Sequence, residues 1–318
     1  MENNDTKYDL TNDEYNRCLM MAEIATFMKS EKVEKPYSIF AVAQAGAGKT
    51  GLKSFLINEA QDKGDITGYT EFNPDEIAVY HKYYREILEE FPDSSYKILQ
   101  RFVQPALDTF LRQRAVELRN NLVQEGTFGN TDGYIKILDF QKNGGEADIG
   151  HIKKDGTRER KTIEGNYNIE INVLAVDRFE SLLSCYEREQ YFRENDLPPR
   201  VVTPQNHDYA YEKLLDTLKV IENKELFNTI RVFKRGYSID KPELICVAGD
   251  GRYSSAVEAV VTQRTRNRQE LLSNPEAYLK RIEILRERVR KNGINAQLVR
   301  LDELEVEFKK ERLLQQEK

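Results

Sequence analysis

Cysteine and histidine are scarce in this chain, which has three residues of each type among 318. Cys18, Cys185 and Cys246 lie far apart, and the three histidines form no cluster with the spacing of metal ligands. This scarcity argues against a metal site built from the two residue types. Three scattered thiols are typical of a reducing compartment, so we expect a cytoplasmic protein.

Long hydrophobic runs and an excess of positive charge are also lacking. No apolar stretch approaches the length that spans a membrane, and the polar, acidic N-terminus does not resemble a secretory signal. Lysine and arginine number 48 against 54 acidic residues, which gives a net charge of −6. We therefore expect a protein that partners neither a membrane nor nucleic acid.

The most informative segment is an apolar run at 37–42 followed by Gly46, Gly48, Lys49 and Thr50 and then by a helical pattern. This order is typical of a P-loop, because a loop without bulky side chains lets backbone N–H groups point at phosphate oxygens. The helix dipole adds positive potential at the same place. We expect Lys49 to contact the β- and γ-phosphates and Thr50 to be a ligand of Mg²⁺. The predicted nucleotide-binding residues are Gln44, Ala45, Gly46, Ala47, Gly48, Lys49, Thr50 and Gly51.

One position departs from the full P-loop pattern. Glycine is expected six residues before the lysine, and Ala43 stands there. Alanine resists any backbone conformation that needs a positive φ, so the loop geometry at this position is in question. The alternative is an ordinary strand–helix turn with an exposed lysine.

Apolar runs that alternate with helical patterns predict an α/β fold, with a P-loop kinase-like parallel sheet flanked by helices. The runs lie at 37–42, 66–72, 121–125, 169–176 and 229–233. We interpret residues 1–255 as a P-loop kinase domain. Within it, the glycine- and charge-rich segment 141–168 is expected to be an inserted surface excursion with a hairpin turn at 153–157.

Residues 256–318 are interpreted as a charged helical extension. Apolar residues recur at helical spacing on both sides of Asn292-Gly293, namely Tyr278, Ile282, Leu285 and Val289, then Leu298, Leu301, Leu304 and Phe308. This pattern predicts a C-terminal helical hairpin. Because each stripe is short, we favour a hairpin packed on the core over a coiled coil that binds a partner.

Candidate side chains follow the second and third strands, where ligands of doubly wound sheets bind. A carboxylate at Asp75 can accept the proton of an attacking hydroxyl, although the residue taken alone favours a helix cap. Glu125 and Thr127 flank Gly126 at the end of the third strand. They are suited to hold sugar hydroxyls or to support Mg²⁺, and equally to be a polar strand end.

Three charged residues follow the fourth strand. Asp177 ends an apolar run and resembles a Walker B aspartate, but it more simply caps the next helix. Arg188 and Arg200 lie at the edges of one helix–loop segment, where two guanidinium groups can neutralise the charge of a transferring phosphoryl group. Taken alone, each arginine is more typical of a solvated ion pair.

Together these segments resemble the zeta toxin family, the kinase half of bacterial epsilon–zeta toxin–antitoxin pairs, over roughly residues 37–236. The matching motifs, in the family's order, are the loop 44–50, Asp75 with His81 six residues later, Glu125-Gly126-Thr127, Glu187-Arg188, Arg200, Thr203-Pro204 and His207-Asp208. The departures are Ala43 for the leading glycine, Ala45 where proline is common, and Phe128-Gly-Asn130 where an arginine often follows.

The resemblance implies an ATP- or GTP-dependent, Mg²⁺-requiring kinase of the sugar 3′-hydroxyl of UDP-N-acetylglucosamine, whose product starves peptidoglycan synthesis. It implies catalytic roles for four residues: Asp75, Lys49, Arg188 and Arg200. For Asp75 this role replaces helix capping, and for the two arginines it replaces solvated ion pairs. It also implies that Asp75, His81, Glu125 and Thr127 bind the substrate. The family's partner is a small helical antitoxin that blocks the nucleotide site.

Two alternatives remain open from the sequence. The first is a kinase of the same fold that acts on another UDP-sugar or on a nucleotide. The second is a nucleotide-dependent interaction protein without catalysis, whose C-terminal hairpin binds a partner.

Overall fold

Eight strands and twelve α-helices are found in the described residues, which are 4–28, 30–91, 94–195, 197, 199–236 and 241–317 of this computed structural model. The strands are β1 Tyr37–Val42, β2 Thr70–Phe72, β3 Leu122–Gly126, β4 Gly145–Asp148, β5 Arg160–Ile163, β6 Asn168–Ala175, β7 Thr229–Lys234 and β8 Glu243–Val247. The first seven helices are α1 Asn12–Phe27, α2 Lys49–Asp62, α3 Pro74–Ala78, α4 Tyr84–Glu90, α5 Ser95–Pro105, α6 Arg112–Glu117 and α7 Thr131–Asn143. The others are α8 Arg178–Glu194, α9 Pro204–Lys224, α10 Ala256–Ser273, α11 Glu276–Lys291 and α12 Asn295–Gln316.

Six strands form the main sheet in the order β2-β3-β1-β6-β7-β8. The first five of these run parallel, and β8 is antiparallel at the edge. Strand β1 lies in the middle, where Ser38 is in register with Leu122 on one side and Ile169 on the other. The carboxyl ends of β3, β1 and β6 therefore meet at one edge of the sheet, where such folds bind ligands.

The predicted α/β class with a mostly parallel sheet is confirmed, with two corrections to the strands. The second strand does not start at Ile66, because the backbone N–H groups of Asp65 and Ile66 bond to the Ala60 carbonyl at the end of α2. Only Thr70–Phe72 pairs with β3. Strand β8 was missed by the sequence analysis, although residues 244–247 are an apolar run; it lies at the edge of the sheet, where side chains such as Leu244 are exposed.

The predicted surface excursion contains a two-stranded hairpin. Gly145 pairs with Ile163 across β4 and β5 in antiparallel register. The backbone N–H of Lys153 donates to the Thr157 carbonyl at 2.7 Å, which closes the predicted turn. The hairpin is separate from the main sheet.

Three helices follow Ser255, and the last two form the predicted hairpin. Helices α11 and α12 pack together and against α8, with Phe308 buried between the rings of Phe179 and Tyr278 at centroid distances of 5.3 and 4.6 Å. Helix α10 instead packs on β6, β7 and β8. The division of the chain at residue 255 stays a prediction.

None of the described helices combines the length and the apolarity that a membrane crossing requires.

We expect Phe308→Ala to lower the free energy of unfolding by about 3–5 kcal/mol, because it leaves a cavity between α8, α11 and α12. The control is Val261→Ala on α10, whose side chain is exposed and should change stability by less than about 0.5 kcal/mol. Urea titration followed by circular dichroism measures both. Equal effects of the two changes would contradict the packing described.

Candidate active site

The loop between β1 and α2 has the backbone of a phosphate-binding loop. The N–H of Ala43 donates to the Gly126 carbonyl at 3.1 Å, so the chain leaves the sheet beside the end of β3. Gly46 and Gly48 have φ angles of 73° and 93°. Glycine adopts this left-handed region without steric cost, which explains why these two positions carry it.

The missing leading glycine does not distort the loop. Ala43 is fully buried and is not among the residues with positive φ. Its Cβ is therefore compatible with the backbone, and the doubt raised by the sequence is removed at this position.

Gly46 is in close contact with the main chain of helix α8. A Cβ placed on Gly46 would lie 1.9 Å from the Ser181 carbonyl oxygen and 2.8 Å from Cys185 Sγ. No side chain fits between the loop and the helix, so the main chain of α8 fixes the position of the loop beside it.

The side chain of Lys49 folds back over its own loop. Its Nζ donates to the carbonyl oxygens of Ala43 and Gln44 at 3.0 and 3.1 Å. Burial, against the opposing charge of Glu125 and aided by the charges of Arg188 and Arg200, lowers the pKa of Lys49 to about 8. The positive charges of Arg188 and Arg200 thus act at Lys49, and such a concentration of positive charge favours binding of a polyphosphate.

Glu125 lies beside Thr50 in a small charged cluster. Thr50 Oγ1 is 3.4 Å from Glu125 Oε1, and Lys53 Nζ is 3.0 Å from the same oxygen. Lys53 also pairs with Glu71 of β2. The hydroxyl and carboxylate oxygens next to the loop are the ligand types that Mg²⁺ prefers, so these residues fit the expected ion.

Asp75 and Arg200 are in direct contact. Their side chains form an ion pair, in which Asp75 remains about half exposed. The cap of helix α3 is Asn73, whose Oδ1 accepts from the Asp75 N–H at 3.1 Å, so the Asp75 carboxylate is not used for capping. The Arg200 guanidinium also lies 5.6 Å from the centre of the Tyr96 ring, and burial lowers its pKa.

Arg188 has a buried guanidinium nitrogen without a protein partner. Its Nε makes no hydrogen bond within the described part of the chain, although Arg188 lies close enough to Lys49 to lower its pKa. A buried, unpaired donor is costly unless a ligand completes it. Arg188 is therefore placed as expected for a group that contacts an anion.

Two predicted residues are not joined to this cluster by any contact in the described residues. His81 is buried against Phe102 and Tyr83, its Nδ1 accepts from the Tyr83 N–H at 3.2 Å, and burial lowers its pKa. Thr127 Oγ1 accepts from the Gly129 N–H at 3.4 Å. A cavity of about 540 Å³ begins at Gly129 and is lined further by α7 and α9.

Asp177 has a structural role at the start of helix α8, in place of the Mg²⁺-binding role of a Walker B aspartate. It is almost completely buried, and its Oδ1 accepts from the N–H groups of Phe179 and Glu180 at the start of α8. Its other oxygen pairs with Arg268 of α10. Capping is therefore the role that the structure supports.

Gln44 attaches the loop to three neighbouring elements. It is fully buried, and its Nε2 donates to the Val176 carbonyl and to Ser181 Oγ, both at 3.1 Å. Its Oε1 accepts from Arg264 Nη2 of α10 at 3.1 Å. The Arg264 guanidinium also lies over the Tyr211 ring at 3.7 Å, so a residue distant in sequence supports the loop.

Sequence reasoning missed several residues of this region: Lys53, Glu71, Arg235 and Arg264. Lys53 could have been found from the sequence, because it lies one helical turn after Lys49 on α2 and therefore on the same face. Arg235 follows β7, and its Nη1 donates to the Gly46 carbonyl at 3.3 Å. Nothing in the local sequence around Arg235 or Arg264 indicates contact with the loop.

Comparisons with known proteins agree on one family. The family model described as Zeta toxin matches residues 21–156 and 146–240. Toxin PezT of Streptococcus pneumoniae is 23% identical over 232 residues, which cover 72% of this chain and 81% of that protein. Toxin zeta of Enterococcus hirae is 23% identical over 207 residues, but the match spans only 62% of its length.

Among solved structures, one is described as the PezAT chromosomal toxin–antitoxin system of Streptococcus pneumoniae. The chain matches it with a TM-score of 0.64 and 19% identity, covering 87% of this chain and 98% of that one. At this identity the likeness shows the fold, that of a P-loop kinase.

Gly46→Ala is expected to abolish nucleotide binding, because its Cβ would overlap the Ser181 carbonyl and push the loop off α8. Gly51→Ala is the matched comparison, since a Cβ there has no neighbour within 4 Å. Titration with a fluorescent ATP analogue should show a far smaller loss for Gly51→Ala. Similar affinities for the two variants would contradict the proposed contact.

Nucleotide affinity should fall as pH rises through the pKa of Lys49, because only the ammonium form attracts phosphate. With that pKa at about 8, the affinity is full below this pH and drops about tenfold between about pH 7 and pH 9. Lys49→Arg keeps its charge over this range and should show a flatter profile. The same titration, repeated across pH, measures both, and parallel profiles would refute the assignment.

Proposed function

We propose that this chain, which belongs to the zeta toxin family, transfers the γ-phosphoryl group of ATP or GTP to the 3′-hydroxyl of UDP-N-acetylglucosamine. The observation that carries the proposal is the pairing of Asp75 with Arg200, close to the lysine of the phosphate loop. A base and a phosphoryl-stabilising cation next to a P-loop are the parts that a small-molecule kinase needs.

The loop and its neighbours would hold the donor nucleotide. Backbone N–H groups of 44–51 surround the phosphates, and Lys49 turns from its own carbonyl partners to the β- and γ-phosphates. Thr50 and Glu125 supply the oxygens for Mg²⁺, which screens the charge of the phosphates when it is bound. Lys53 keeps the Glu125 carboxylate in place through its ion pair.

Asp75 would act as the general base for the acceptor. Its half-exposed carboxylate has access to a sugar hydroxyl and accepts the hydroxyl proton as the oxygen attacks the γ-phosphorus. Arg200 then orients the carboxylate and, with Arg188, neutralises charge on the transferring group. The unpaired Arg188 Nε would find its partner in a phosphate oxygen.

Glu125 and Thr127 would orient the sugar, with His81 as a further substrate residue carried by the resemblance. The cavity that begins at Gly129 offers room for the rest of the acceptor. His81 is buried against Phe102. It would therefore act on the site indirectly, by holding Tyr83 in place, and not by contacting Asp75.

The biological role that we propose is that of a toxin. Phosphorylated UDP-N-acetylglucosamine cannot enter peptidoglycan synthesis, and a small helical antitoxin would block the nucleotide site. Support comes from the matched relatives, which are named toxins, and from a matched structure that belongs to a toxin–antitoxin system.

One observation favours a second candidate, a kinase of another UDP-sugar or of a nucleotide. Where the family often has an arginine, this chain has Phe128-Gly-Asn130. The Phe128 side chain is fully buried, and Thr217 Oγ1 donates to its carbonyl at 2.7 Å. A polar contact to the acceptor is thus replaced by a packed turn, which alters the set of groups available for recognition.

Asp75→Asn should separate binding from transfer. We expect phosphoryl transfer to fall by about 10²-fold or more because the amide cannot accept the proton, while nucleotide affinity stays near that of the natural chain. Lys49→Ala should lose both. Transfer from radiolabelled ATP to a panel of UDP-sugars, with Glu76→Gln in the same helix as the control, tests this.

The panel also separates the two candidates. Transfer to another acceptor but not to UDP-N-acetylglucosamine would support the second candidate. Undiminished transfer by Asp75→Asn would refute the base assignment, and a function independent of Asp75 would favour a nucleotide-dependent interaction protein.

A further inference from the structure

The outer face of helix α12 carries a regular seam of exposed side chains. Its members recur at alternating intervals of three and four residues and are Ala296, Val299, Glu303, Val306, Lys310, Leu313 and Glu317, all exposed. The apolar members are well exposed, at 55% for Val299, 67% for Val306 and 61% for Leu313. The opposite face of the helix is buried against α8, α10 and α11.

This spacing places the seven residues on one face of α12, along which a second helix can lie. A repeat of 3.5 residues keeps one stripe facing a partner along the helix. The stripe extends over most of the 22 residues of α12. A helix that only covers the core needs one such face, and α12 already uses Leu301, Leu304 and Phe308 for that purpose.

The charged members of the seam are not used within the molecule. Glu303 and Lys310 form no ion pair in the described part of the chain. By contrast, the residues flanking them are paired, Asp302 with Arg286 and Lys309 with Glu305. Glu303 and Lys310 are of opposite sign and lie three residues before and four residues after the central apolar position, Val306.

We propose that α12 pairs in antiparallel fashion with α12 of a second copy of this chain. With Val306 opposite Val306 of the second copy, Val299 faces Leu313. In the same register Glu303 lies about 1.5 Å along the helix from the level of Lys310, which these long side chains bridge, and the two-fold symmetry repeats both contacts. A parallel pair would place Glu303 against Glu303 and Lys310 against Lys310, which is unfavourable. The charges thus select the antiparallel arrangement, which is the two-fold symmetric contact of a homodimer.

The size of this contact predicts a weak, reversible dimer. One helix pair with three apolar layers buries less area than a standard stable interface. Another exposed apolar face, formed by Met20, Met21, Ile24 and Met28 on α1, carries no charge pattern that selects an occupant. The α12 pairing does not depend on the proposed kinase activity.

Sedimentation equilibrium of the full chain over a wide concentration range tests the pairing. The natural chain should show a monomer–dimer equilibrium. Glu303→Lys and Lys310→Glu should each weaken association by about tenfold or more, because each places like charges in contact. Both changes together should restore it, and so should an equimolar mixture of the two single variants.

Val306→Asp should abolish association because two carboxylates would meet at the centre. The control is Val261→Asp, which introduces the same charge at an exposed position of α10 and should leave association unchanged. A natural chain that is monomeric at every concentration would overturn the proposal. So would a double variant that associates no better than the single variants, or a Val306→Asp chain that still dimerises.

Discussion

The contact between Gly46 and the main chain of helix α8 is the constraint on which the site depends. The loop can lie this close to the Ser181 carbonyl only because residue 46 has no side chain. Two turns further along the same helix, Arg188 presents its unpaired Nε near Lys49. At a rise of about 1.5 Å per residue, a rigid helix fixes the two about 10 Å apart. One element therefore sets both the position of the loop and the position of a cation that would act on the transferring group.

The region beyond the matched family segment contributes to the same site. The family model ends at residue 240, yet Arg264 of α10 holds the buried amide of Gln44. Arg281 of α11 donates to Ser184 Oγ at 3.2 Å, and Arg235, inside the matched segment, lies 3.4 Å from the same hydroxyl. The C-terminal helices thus support the loop through α8 and should not be regarded as an independent appendage of the nucleotide site.

Much of the fold and part of the site could be predicted from the sequence. The strand–loop–helix order around Lys49 and the recurrence of apolar runs depend on local chemistry, so the parallel sheet and the P-loop were both found. The assignment of Asp75 and Arg200 to one site followed from motif order and not from either residue alone, whereas their ion pair was not predicted. Local rules failed for Ala43, where the backbone accommodates a methyl group that the pattern excludes.

The missed contacts share a physical cause. Arg264 meets Gln44 across 220 positions, and such a contact depends on how α10 lies on the sheet. The charged sequence around Arg264 is typical of a surface helix, although the Arg264 side chain is almost completely buried. Strand β8 was missed although four of its five residues are apolar, and its antiparallel position at the sheet edge is again a matter of tertiary arrangement.

The central claim is that the P-loop and Asp75 together form a sugar-nucleotide kinase. The most direct measurement is the structure of the product, by phosphorus and proton nuclear magnetic resonance, after incubation with ATP, Mg²⁺ and UDP-N-acetylglucosamine. The account predicts a new phosphomonoester coupled to the proton on C3 of the sugar, formed in step with ADP. Release of inorganic phosphate and ADP with an unchanged sugar nucleotide would contradict it.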